Sequence, residues 1–184
     1  LVTGVQTCAL PIFINVYKSF GDRVVLDGIS FHVDRGESFA IIGPSGIGKT
    51  VTLLHVVGLL KPDSGRVIVD GQEITSLKES ELAAVRRKAQ LVFQSGALFD
   101  SLTVRENVAF PLMDTGLSEQ EINRRVEEKL RLTEIEDLAE LVPSELSTGM
   151  KRAVAIARAL AGEPKAILYD EPTTMVDPLM SQTI

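Results

Sequence analysis

The octapeptide Gly43-Pro44-Ser45-Gly46-Ile47-Gly48-Lys49-Thr50 fits the pattern G-x-x-x-x-G-K-[ST] in full, and no other feature narrows the folds open to this chain as much. An apolar run, Ser38 to Ile42, leads straight into it and reads as a buried parallel strand. Lys49 to Leu60 follows with apolar residues at helical spacing and stops at the turn cluster Lys61-Pro62-Asp63-Ser64-Gly65. Strand, glycine-rich loop and helix in that order make a cradle for phosphates. The glycines let the backbone wrap closely so that N–H groups point inward, and the helix aims its positive end at the same place. Lys49 supplies a mobile cation for the β- and γ-phosphates, and the Thr50 hydroxyl is placed for Mg2+. The bland alternative is a glycine-rich turn with an incidental lysine, and both flanks argue against it.

A second chemical feature is Ile167-Leu168-Tyr169-Asp170-Glu171, an apolar strand that ends in two carboxylates. Strand ends are where an open α/β sheet binds its ligand. Asp170 can hold Mg2+ through water, and Glu171, one step beyond, can orient or deprotonate an attacking water. Taken alone, the pair reads equally well as a solvated turn.

Around these features the chain reads as one α/β domain. Strands are expected at Ile12–Val16, Ser30–Val33, Arg66–Asp70, Ala89–Phe93 and Lys165–Asp170. From Ser101 to Leu141 the pattern turns helical, with Ser118 and Glu121 forming a capping box before an amphipathic stretch. Met150–Ala161 is an alanine-rich helix carrying Arg152 and Arg158. The 184 residues, 45% apolar and 24% charged, suffice for a core and rule out a disordered chain. A net charge of −6 and an aromatic share of 5% without tryptophan argue against nucleic-acid binding. Cys8 is the sole cysteine, so no internal disulfide forms, which fits a reducing compartment. No apolar run approaches the roughly 20 residues of a membrane span, so any membrane role comes through a partner.

Leu146-Ser147-Thr148-Gly149-Met150, followed by Lys151-Arg152 and the alanine-rich helix, resembles the signature motif of ATP-binding cassette (ABC) ATPases. Four further motifs agree in kind and order: Phe20 with the aromatic that stacks on adenine, Gln94 with the Q-loop, Asp170-Glu171-Pro172-Thr173 with Walker B, and Val176-Asp177-Pro178 with the D-loop. The resemblance covers Phe13 to Ile184. It implies a P-loop NTPase core of ABC type with an N-terminal antiparallel β part and a helical subdomain near residues 95–160. It implies ATP and Mg2+ as ligands. ATP would be held by Phe20, Gly43, Pro44, Ser45, Gly46, Ile47, Gly48, Lys49, Thr50, Val51 and Gln94. Thr50, Gln94 and Asp170 would hold the metal, and Glu171 would be catalytic. It also implies a homodimer in which Ser147, Thr148, Gly149 and Met150 of one copy contact ATP on the other, with Asp177 in the D-loop, and an integral-membrane permease that keeps the ATPase on the cytoplasmic face of the cell membrane.

The stretch Gly96-Ala97-Leu98-Phe99-Asp100-Ser101-Leu102-Thr103-Val104, with Met150 in the signature, is similar to lipid-transport ATPases of the Mla and Mce-associated type. This implies a phospholipid or other lipid cargo and an Mce-domain partner. Leu98, Phe99 and Leu102 would form the groove for the permease's coupling helix. An importer ATPase for another small molecule, a soluble ABC-type ATPase of DNA repair or translation, and a P-loop kinase are the alternatives. Three departures from the family pattern stand out: Thr148 where glycine is usual, Met150 where glutamine is usual, and Met175-Val176 before Asp177. The family's switch histidine is expected beyond Ile184; His32 and His55 read as structural, and the chain as a C-terminally truncated domain of low activity. Residues 1–12 resemble translated adapter read-through and are set apart from the domain at 13–184.

Overall fold

The computed structural model describes residues 11–171, and these fall into two compact units that divide after Ala89. Asp177 and the rest of the D-loop, with Pro172-Thr173, lie outside the described residues.

The first unit is built on an antiparallel sheet of order β2-β1-β3-β4, with β1 at Ile12–Phe20, β2 at Arg23–His32, β3 at Ser64–Val69 and β4 at Gln72–Glu73. Ile12 pairs with His32 and Ile68, so it belongs to the sheet rather than to a tail. The short loop at Gly21-Asp22 closes the β1–β2 hairpin, and Phe13, Val16, Leu26, Val67 and Val69 turn their side chains into the buried side. Ser38–Ile42 corrects the sequence expectation: it is neither a strand nor buried, with Ile42 at 92% exposed. A strand needs a neighbour for its ladder, and among the described residues none pairs with this run. Phe39 instead extends an aromatic stack, with ring centroids 5.2 Å from Phe31, which lies 4.6 Å from Phe13.

Helix α1 runs from Lys49 to Val56, shorter than the apolar spacing suggested, and α2 spans Glu79–Lys88, a helix the sequence reading missed. Leu82 and Val85 bury one face of α2, and Arg86 donates to the carbonyls of Val57 and Gly58 where α1 ends. His55 is 1% exposed on α1. Its Nδ1 donates to the Val51 carbonyl at 2.7 Å, which leaves Nε2 as a buried acceptor with no partner. The structural role expected for His55 therefore carries an electrostatic consequence.

In the second unit, α3 (Val104–Ala109), α4 (Glu119–Leu132) and α5 (Thr148–Ala161) pack around Val108, Leu112, Val126, Leu130, Val154 and Ala157. Val126 with Leu130, and Val154 with Ala157 and Ala161, sit at the spacing that lines one helical face. Ala155 and Ala159, on a second face of α5, pack with Val92 under a two-stranded sheet of β5 (Ala89–Val92) and β6 (Ala166–Tyr169). A helix buried on two sides needs small residues, which is why α5 is rich in alanine. Only half of the expected Ser118–Glu121 box forms. The Ser118 hydroxyl accepts from the Glu121 N–H, while the Glu121 carboxylate turns to Arg124 and Arg125, which hold it down to about 2.

Burial lowers the pKa of His55, with the positive charge of Lys18 adding to the effect and the backbone carbonyls of Val51 and Lys61 and the Asp63 carboxylate opposing it. The native state therefore binds fewer protons at this site than the unfolded chain does. The stability it contributes is complete above the ordinary histidine value of about 6.5 and is lost as pH falls below it. Thermal melts at about pH 7.5 and about pH 5.5 will show a larger drop for the parent chain than for His55→Leu. Equal drops would mean that the imidazole takes up its proton in place.

Candidate functional site

The Gly43–Thr50 loop lies in the first unit and opens to solvent at Pro44, Ser45, Gly46 and Ile47. Its shape depends on backbone conformations that only glycine takes easily. Gly48 has φ +108, and a Cβ there would lie 3.0 Å from Val25 Cγ1 and 3.2 Å from the Val25 carbonyl. Arg23, at the start of β2, donates to the Gly46 carbonyl at 2.8 Å and ties the loop to the hairpin. The Lys49 ammonium turns back over its own loop, 3.0 Å from the Gly43 carbonyl and 3.1 Å from that of Pro44. A cation and the N-terminus of α1 thus share one exposed loop, which fits a polyanion. Thr50 is exposed in the first turn of α1 and Val51 follows it half-buried. Phe20 ends β1, 49% exposed, with the Lys18 ammonium 5.5 Å from its ring centre.

The second unit gathers the other residues singled out by the sequence. The Asp170 N–H donates to the Val92 carbonyl at 3.0 Å, so the ends of β5 and β6 lie side by side. Gln94, exposed, leaves β5 at this end, and Asp170 and Glu171 leave β6 there. Glu171 has φ +51, a strained conformation for a non-glycine residue. Arg152 on α5, only 3% exposed, reaches the Gln94 carbonyl at 3.4 Å and the Glu171 carbonyl at 3.5 Å. Gln94 and Asp170 offer hard oxygen donors of the kind Mg2+ accepts alongside substrate phosphates. Among the described residues no group of three histidine, cysteine, aspartate or glutamate side chains gathers into a metal cage.

Ser147 caps α5, its hydroxyl accepting from the Met150 N–H at 3.3 Å. Thr148, Gly149 and Met150 form the first turn, with Thr148 and Met150 exposed. Phe99 and Phe110 stand 4.4 Å apart and, with Met113, leave an exposed apolar face, whereas Leu98 packs inward. Arg152 and Arg158 on α5 and Asn107 on α3 are residues whose partners the sequence alone does not reveal. The signal of the two arginines is their place on a helix otherwise made to be buried; Asn107, buried on α3, carries none in the sequence.

A model of the ABC transporter family matches residues 26–174. The chain is 46% identical over 170 residues to the spermidine/putrescine import ATP-binding protein PotA of Thermotoga maritima, covering 92% of this chain and 45% of that protein. It is also 46% identical over 160 residues to the intermembrane phospholipid transport system ATP-binding protein MlaF of Haemophilus influenzae, covering 86% of this chain and 61% of that one. The chain therefore spans about half the length of the curated relatives it matches. Among solved structures, the dimeric bacterial ABC transporter cassette MJ0796 superposes with a TM-score of 0.88 at 35% identity, covering 95% of this chain and 79% of that one.

Gly48→Ala places a methyl group against the β2 backbone at a left-handed φ and will lower stability by about 1–3 kcal/mol in denaturant titrations. A change within error would mean that the loop shifts freely. The antiparallel sheet, the helical elements and the match through residue 174 agree with one another, and the chain belongs to the ABC transporter family.

Proposed function

We propose that the chain binds ATP with Mg2+ and hydrolyses it to drive transport, working as one of two copies joined head to tail. The observation that carries this reading is the Lys49 ammonium folded over a loop that opens onto the first turn of α1. Phe20 would stack on adenine, and the loop from Gly43 through Gly48, with Lys49, Thr50 and Val51, would hold the phosphates. Thr50, Gln94 and Asp170 would hold Mg2+, which neutralises phosphate charge when bound. Glu171 would accept a proton from water as the water oxygen bonds to the γ-phosphorus. The bond from that phosphorus to the bridging oxygen breaks, and ADP and phosphate leave. Ser147, Thr148, Gly149 and Met150 would face the γ-phosphate of the other copy, where the N-terminus of α5 favours an anion. The dimeric state named for MJ0796 supports this pairing.

No helix among the described residues is long and apolar enough to cross a membrane. A permease would supply the spanning part, docking a helix on the Phe99–Phe110–Met113 face and holding the ATPase at the cytoplasmic side of the cell membrane. For cargo we favour a phospholipid or related lipid, with an Mce-domain protein in the assembly. Residues 96–104 and Met150 support this, as does the similarity to MlaF. A polyamine or other small-molecule importer is the second reading, because PotA matches at the same identity. The two part in proteoliposomes holding the cognate permease. A lipid carrier raises ATP turnover under the first reading, and a soluble substrate with its binding protein does so under the second.

In the full-length protein, Lys49→Ala will abolish tight ATP binding by calorimetry, because the phosphates lose their mobile cation. Affinity within a few-fold of the parent would remove the loop from the phosphate site. Glu171→Gln keeps the shape and removes the base, so hydrolysis will slow by about 10²–10⁴-fold while ATP still binds. An ATP-dependent dimer will then accumulate on a sizing column. Near-parent turnover would show that Glu171 is not the base.

A further inference from the structure

We propose that Arg158 is a positioning residue for Gln94. It clamps the two carbonyls beyond Gln94 to α5 and so fixes where the loop carries the Gln94 side chain. The inference rests on the reading of Gln94 as a magnesium ligand. Gln94 is exposed, so where its long side chain can reach depends on how its backbone is held. That backbone turns sharply. Gly96 has φ +79 and Ala97 has φ +44, two left-handed residues in succession, the second of them costly for alanine. The Nη2 of Arg158 donates to the Gly96 carbonyl at 2.9 Å, and its Nη1 donates to the Ala97 carbonyl at 2.8 Å. One planar fork therefore caps both carbonyls of the strained turn. The same guanidinium lies 5.9 Å from the centre of the Phe99 ring.

The rest of the loop leaves little slack. The Gly96 N–H donates to the Phe93 carbonyl at 2.9 Å, and a Cβ on Gly96 would lie 3.2 Å from the Lys151 carbonyl on α5. At the far end, buried Asn107 accepts from the Phe99 N–H at 2.9 Å and donates to the Phe99 carbonyl at 3.1 Å. Arg152 adds a longer contact at the near end, 3.4 Å from the Gln94 carbonyl. Burial works against the charge on Arg158, so the cation sits there against a desolvation cost that two carbonyls and an aromatic face offset. An arginine that only filled space on α5 would not need to meet the loop with both arms of its fork.

The test uses the full-length protein, with ATP binding titrated at varied free Mg2+ and backbone hydrogen exchange followed by mass spectrometry. Arg158→Met will raise the Mg2+ concentration for half-saturation by at least about fivefold, in line with the loss of a group supporting a metal ligand. Its affinity for metal-free ATP will stay within about twofold of the parent, because the phosphate loop is untouched. Exchange will accelerate by about tenfold at residues 94–97 and stay unchanged along α5. Arg158→Lys will fall between, since an ammonium lacks the planar fork that caps both carbonyls; it carries both measurements if the Met variant does not fold. An unchanged Mg2+ requirement in Arg158→Met, alongside a raised one in the control Gln94→Ala, overturns the inference. If Gln94→Ala leaves the Mg2+ requirement unchanged, the reading of Gln94 as a ligand falls instead. The hold of Arg158 on the loop is then judged by exchange, and unchanged exchange at 94–97 overturns that as well.

Discussion

Helix α5 is the member on which the second unit depends. It is buried on two faces, one against α3 and α4 and the other beneath β5 and β6. Two-sided burial leaves room for little beyond alanine and valine. An arginine on such a helix can stay only if its charge meets acceptors. Arg152 and Arg158 meet them in the main chain of the segments that leave β5 and β6. The residues that pack the core thus also fix the loops that carry Gln94 and Glu171. A buried polar group without a partner costs about 1–3 kcal/mol, so these contacts specify the loop conformation as much as they stabilise it.

In the first unit a different physics sets the candidate site. The Gly43–Thr50 loop makes much of its surface from backbone, and side chains that tie it down include Arg23 on Gly46, Thr52 on Gly48 and Lys49 on Gly43 and Pro44. Such a surface needs glycine where φ is positive and where the β2 hairpin comes close. It needs a helix start to orient the amides. The hairpin behind it is stiffened by antiparallel pairing and by the Phe13–Phe31–Phe39 stack. A rigid sheet behind an exposed, backbone-lined loop suits recognition of a ligand whose charge is large and whose shape is common to many substrates.

Much of this was legible in the residues. The loop pattern, the acid pair after an apolar strand and the serine before an alanine-rich helix each carry their chemistry in short, contiguous segments. Ser118 caps α4 as its position suggested, and Ser147 caps α5. Ser38–Ile42 was not legible, because an apolar run is only half of a strand and the partner ladder is not a local property. Glu79–Lys88 was not legible either, because Leu82 and Val85 are the buried residues of a largely charged helix and the apolar period is faint.

The amino-acid sequence by itself determined the family and the order of the motifs, and it pointed to the chemistry proposed for each. These rest on covalent neighbours and on periodicities of two to four residues. Only the tertiary structure decided that Gln94 and Glu171 leave neighbouring strand ends, that Arg158 reaches across 61 positions to the Ala97 carbonyl, and that His55 is sealed with one nitrogen unpaired. Those facts come from packing distant segments to near-crystalline density, where a side chain's charge and hydrogen bonds are set by whatever is folded against it.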